Sequence, residues 1–102
     1  MGVASMLGRT TEELELLQRH IEMLRVTKEN QPIGIIRLSE ILGVPKHKVR
    51  YSLRLLEREG LIAATGGGAV VSEKYDEFMA DLPDFLDSVV KKVETIKTEA
   101  SR

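Results

Sequence analysis

Seven side chains between Lys46 and Arg58 have the chemistry to engage a polyanion: Lys46, His47, Lys48, Arg50, Tyr51, Arg54 and Arg58. Counted from His47, the residues Arg50, Tyr51, Arg54 and Arg58 fall at i+3, i+4, i+7 and i+11, the rhythm of one helical face. Val49, Leu53 and Leu56 recur on the opposite face. A helix of this kind fits the major groove of duplex DNA, where arginine pairs in bidentate fashion with guanine O6 and N7. The N-terminal part of a groove-bound helix reaches the base edges. His47, Lys48, Arg50, Tyr51 and Arg54 are therefore the candidate readers, with Lys46 and Arg58 as candidate phosphate contacts. Arg37 and Ser39, just upstream, are further candidates for the backbone. The same stripe also suits a plain solvated helix, with Glu57 and Glu59 pairing neighbouring cations and Tyr51 packing its ring.

Other chemistry finds little footing. The chain has no cysteine, so neither a disulfide nor a thiolate metal site is available. Its two histidines, His20 and His47, lie far apart in sequence, and no Ser/His/Asp set is recognisable. We expect no catalytic residue, no metal and no cofactor, and a small-molecule effector is left open. The net charge of −1 conceals an uneven distribution. Residues 37–60 carry +3, residues 73–102 carry −3, and residues 61–72 carry no charge. Phosphate responds to the local patch, because charges beyond about 8–10 Å are screened at ordinary ionic strength.

These side chains need elements to position them. At 102 residues and 42% hydrophobic content the chain is read as one small domain. No apolar run approaches the roughly 20 residues of a membrane span, and the opening MGVASMLGR lacks the apolar core of a secretory signal. The expectation is a soluble, cytoplasmic protein without a membrane partner. Residues 1–9 are expected to be disordered. Thr10-Thr11-Glu12-Glu13 has the form of a capping box, and Leu14, Leu17, Ile21 and Leu24 then follow on one helical face, with His20 on its buried or rim side. Asn30-Gln31-Pro32 should end that helix. A short helix with Ile35, Leu38 and Leu42 inward runs from a Gly34 cap to Gly43. Pro45 opens the cationic helix, which extends to about Glu59 and stops at Gly60. Leu61–Thr65 and Ala69–Ser72 read as strands around Gly66, Gly67 and Gly68.

Helix, short helix, turn, helix, glycine and hairpin is the order of the winged helix-turn-helix family, which the stretch from Glu12 to Ser72 resembles. Ser39, Gly43 and Val49 stand where that family's signature places a small residue, a glycine and a β-branched residue. The passage Leu53-Arg54-Leu55-Leu56-Glu57-Arg58-Glu59-Gly60-Leu61-Ile62 is similar to the family's exit from recognition helix into wing. More narrowly, the chain resembles small archaeal proteins regarded as transcriptional regulators. The resemblance implies double-stranded DNA as partner and transcription regulation as role. The expected wing departs from the usual pattern, since Gly66, Gly67 and Gly68 replace the cations found at many wing tips. Their simplest use is a turn requiring positive φ, so the wing should add little affinity. The triple glycine lacks the lysine and strand-to-helix context of a nucleotide loop.

From Glu73 onward the chain reads as helical with a break at Pro83. Leu82, Leu86, Val89, Val93 and Ile96 recur at spacings of four and three, a heptad seam suited to a coiled-coil homodimer. Folding back on the first helix is the alternative. The expected fold is thus mainly α with a small β-hairpin wing, comprising a winged helix-turn-helix at 10–72 and a helical dimerisation segment at 73–102. The function read from it is sequence-specific DNA binding by a homodimer, with the 46–59 helix in the major groove. An adaptor that binds proteins instead of specific DNA is the alternative.

Overall fold

The computed structural model describes residues 2–102, with side chains from Ser5 onward. Six elements follow in order: α1 (Gly2–Asn30), α2 (Ile35–Leu42), α3 (Lys46–Arg58), β1 (Ile62–Thr65), β2 (Gly68–Val71) and α4 (Tyr75–Ala100). The fold is mainly α with a two-stranded antiparallel hairpin after three helices, a winged helix-turn-helix followed by a C-terminal helix. No helix among the described residues is long and apolar enough to cross a membrane.

α1 corrects two expectations. It begins at Gly2, so residues 2–9 are helical rather than disordered; Met1 lies outside the described residues. The capping box at Thr10 is consequently absent. A cap needs the free amides of a first turn, and here the chain is already helical upstream. The hydroxyls of Thr10 and Thr11 instead donate back to the carbonyls of Met6 (3.4 Å) and Leu7 (3.2 Å). The buried stripe also starts later than the apolar pattern suggests. His20, Met23, Leu24 and Thr27 are buried, whereas Leu14 is half exposed. α1 ends at Asn30 as expected, with the Asn30 amide donating to the Val26 carbonyl at 2.8 Å.

The turn between α2 and α3 follows from two residues. Gly43 adopts φ 66°, a left-handed conformation that a side chain disfavours, and its N–H donates to the Ser39 carbonyl at 2.9 Å. Pro45 is the N-cap of α3, where its missing N–H leaves no bond unmade. The Ser39 hydroxyl donates to the Val44 carbonyl at 2.5 Å, so it fastens this turn from inside. α3 then buries Val49, Ser52 and Leu56 and half-buries Leu53. At its end Gly60 is left-handed (φ 76°), with Gly60 N–H to Glu57 O and Leu61 N–H to Leu56 O, a Schellman exit into the hairpin.

In the hairpin Ile62 pairs with Val71 and Thr65 with Gly68, leaving Gly66-Gly67 as the turn. Of the wing glycines only Gly68 has positive φ, at 129°. A third strand position, not anticipated from sequence, joins the sheet: Ile33 and Ala69 exchange backbone hydrogen bonds of 3.1 and 2.7 Å. Gly68 permits that approach, because a Cβ there would lie 2.7 Å from the Ile33 backbone. The core beneath, centred on Met23, Leu24, Leu38 and Val49, is shared by α1, α2 and α3 and closed by the hairpin.

α4 corrects the expected break at Pro83. It is continuous from Tyr75 to Ala100 with Pro83 inside it. Proline there removes one bond to the preceding turn and costs about 3 kcal/mol in a helix interior, but the turns on either side keep the helix running. Tyr75 and Phe78 anchor its start against the core, and no residue of α4 is fully buried. It does not fold back to bury the seam on its own chain.

Candidate nucleic-acid interface

The cations of α3 occupy one open face. Lys46, His47, Lys48, Arg50, Arg54 and Arg58 are all exposed, while Val49, Ser52 and Leu56 turn inward. The acidic terminal helix therefore does not cover this face within the chain. Lys48 N–H and Val49 N–H both donate to the Pro45 carbonyl, which sets the first turn and the direction in which Lys46 to Arg50 project. Among the described residues the ion pair found is Arg37–Glu40 at 3.6 Å on α2, so no carboxylate lies within ion-pairing distance of an α3 cation. Such an exposed pair is worth at most ~1 kcal/mol and leaves Arg37 exchangeable onto another anion.

Two expected contacts are placed differently. The Ser39 hydroxyl is occupied by the Val44 carbonyl, which gives it a structural task in the turn. Tyr51 is about half exposed, but its ring lies against α1: it stacks on His20 with centroids 6.2 Å apart, and the Arg19 guanidinium sits 6.0 Å from its centroid. Tyr51 thus packs its ring against Arg19 and His20 while about half of the side chain stays open to solvent.

Beneath Tyr51 lies a polar cluster that sequence reasoning missed. Arg19 Nε donates to Ser52 Oγ at 2.9 Å, and His20 Nδ1 lies 2.9 Å from the same oxygen. Burial pushes His20 below its ordinary 6.5; the Arg19 guanidinium adds to that, and Glu13 partly opposes it. With a neutral imidazole, Ser52 accepts from Arg19 and donates to Nδ1, which leaves the ring proton on Nε2. The cluster ties the cationic helix to α1. Its signal in the sequence is Ser52, a polar residue amid the apolar positions Val49, Leu53 and Leu56.

The hairpin adds backbone rather than charge. Gly66 and Gly67 are exposed, and Thr65 Oγ1 closes the turn by donating to Gly68 O (2.6 Å) while accepting from Gly67 N–H (3.2 Å). Gln31 Oε1 accepts from Val71 N–H at 2.8 Å, tying β2 to the segment just after α1. Among the described residues no group of three or more His, Cys, Asp or Glu is clustered in a way that could hold a metal ion.

No family model matches the chain. Over 77 residues, 76% of its length, it is 29% identical to a protein named HTH-type transcriptional regulator GolR, from Listeria innocua. The matched part is 29% of that protein, so the chain spans under a third of its relative's length. The narrower likeness to archaeal regulators draws no support from it.

Proposed function

We propose that the chain binds double-stranded DNA sequence-specifically as a homodimer and regulates transcription, with α3 in the major groove. The observation that carries this is the open cationic face of α3, unpaired with any carboxylate and locked at its back by Val49, Ser52 and Leu56. His47, Lys48, Arg50 and Arg54 are the base-edge readers, joined by the exposed part of Tyr51. Lys46, Arg58 and Arg37 contact phosphate. The wing, without cations, adds only the amides of Gly66, Gly67 and Gly68. The likeness to a protein named as a helix-turn-helix transcriptional regulator points the same way.

The homodimer rests on α4. Leu86, Val93 and Ile96 are 36%, 48% and 59% exposed, and Leu82 and Val89 are half buried beside them. Phe85 and Val90 widen the stripe. Charge favours an antiparallel pair. From Tyr75 to Asp87 the helix carries five acids and no base, and from Ser88 to Ala100 it carries Lys91, Lys92 and Lys97 against Glu94 and Glu99. Parallel pairing would set the acidic halves side by side, and antiparallel pairing sets each against the partner's lysines.

A titration of selected duplex by fluorescence anisotropy tests the DNA face. Arg50→Ala or Arg54→Ala should each weaken binding by about 1–3 kcal/mol and relax the preference at one base position. Lys46→Ala should weaken all sequences alike and flatten the salt slope. If all three variants bind like the parent, the face is misassigned. The uncharged wing favours a second reading, a protein-binding adaptor, for which affinity for generic duplex would be absent at low salt.

A further inference from the structure

An open cleft of about 420 Å³ lies between the exposed side of α3 and the hairpin, and nothing in the DNA-reading role requires its shape. Its floor is apolar, built from Ile33, Leu53, Ile62 and Ala69. Ile33, Ile62 and Ala69 belong to the buried core, so the cleft is a notch in the core itself, not a fold of mobile surface chain. Arg50 and Arg54 stand on its α3 side with Glu57 one turn further on, giving the rim a net charge of +1. Neither arginine has a carboxylate within ion-pairing distance.

The walls are fixed before anything binds. The Ile33–Ala69 pair of backbone hydrogen bonds holds the hairpin against the start of α2, and Gly68 is in direct backbone contact with Ile33. Preformed clefts of a few hundred Å³ with an apolar floor and a few charged groups at one side are the usual form of a small-molecule site. The volume is too small for a folded partner or a helix. The two arginines could hold a bare phosphate, but only an anion with an apolar body also uses the floor, and a rim of net positive charge does not suit a metal ion.

We propose that this cleft binds a small carboxylate with a flat or branched apolar body, its carboxylate on Arg50 and Arg54 and its body on Leu53 and Ile62. Arginine pairs with carboxylate through two parallel hydrogen bonds, and the low-dielectric floor beside it strengthens the pair. Because Arg50 and Arg54 also read DNA in the function proposed above, such a ligand competes with duplex. Only that competition rests on the DNA reading; the site itself does not.

The test is a ¹⁵N-HSQC titration of the full chain with 2-naphthoate and, as the neutral isostere, 2-naphthamide. The expected result is saturable shifts at the amides of Gly34, Ala64 and Gly68, with the amide binding at least about fivefold more weakly. The double variant R50A/R54A should reduce naphthoate to the affinity of the amide, and its retained spectral dispersion shows that it folds. Equal binding of the two probes, a failure to saturate, or shifts centred on Phe85 to Ile96 overturns the proposal. Naphthoate binding by a chain that binds no duplex upholds the site and refutes the DNA reading. Duplex binding without naphthoate binding refutes the site alone.

Discussion

His20 holds α1 to α3 and is also the side chain that makes the junction sensitive to acid. Its imidazole is 9% exposed, accepts from Ser52 and stacks on Tyr51. Burial and the adjacent Arg19 lower its pKa in the folded chain, whereas the unfolded chain takes up the proton near 6.5. The unfolded state therefore binds more protons below that pH, and stability should be level above about pH 7 and decline as pH falls through 6.5. Thermal melts between pH 7.5 and 5.5 check this, and His20→Gln should flatten the profile; a parent profile already flat across that window contradicts the assignment. At this scale the sequence was informative about residues that face solvent and poor about pairs. The α3 cations follow from helical spacing alone. The Arg19–Ser52 bond joins residues 33 positions apart, and no periodicity reports a contact between two helices.

The elements were legible where glycine and proline punctuate them. Asn30 before Gln31-Pro32, Gly43, Pro45 and Gly60 bound helices at the expected places because each acts through its own backbone. Signals that depend on context misled. A Thr-x-x-Glu pattern caps only a helix that has not yet begun, and Pro83 removes one backbone bond without ending α4, which is helical on both sides of it. The triple glycine divides its labour in a way that spacing cannot reveal. Gly68 meets the Ile33 backbone, whereas a Cβ at Gly66 would meet nothing within 4 Å. Gly68→Ala should therefore destabilise the fold by about 1–3 kcal/mol through strain and loss of the Ile33 bridge. Gly66→Ala should stay within about 0.5 kcal/mol of the parent. Urea melts of the two variants separate them, and equal midpoints would remove the bridge from any structural role.

As a whole the molecule is elongated, 56 × 32 × 21 Å, with a radius of gyration of 16.2 Å against about 13 Å for a compact chain of 100 residues. The excess length belongs to α4 and the N-terminal half of α1, whose Met6, Leu7 and Leu14 are 50% exposed or more. A soluble monomer rarely leaves so long an apolar stripe uncovered. Light scattering at tens of micromolar should give twice the chain mass, and the double variant V93E/I96E should give a single chain with its far-ultraviolet spectrum kept. A monomeric parent at that concentration rules the homodimer out. The heptad seam was visible in the sequence, but its accessibility was not, because the pattern is the same for a helix that folds back and one that stands away.

α1 runs unbroken through 29 residues, about 43 Å at 1.5 Å per residue. Near its middle Arg19 and His20 grip Ser52 on the cationic helix, and its far end carries uncovered apolar side chains. The half of α1 beyond that grip is seated in the core through Met23, Leu24, Val26 and Thr27, so the uncovered half projects from a fixed base. A partner that covers Met6 and Leu7 lies about 20 Å along the same continuous helix from the residues that hold Ser52 and Tyr51, which sets its distance from the cationic helix.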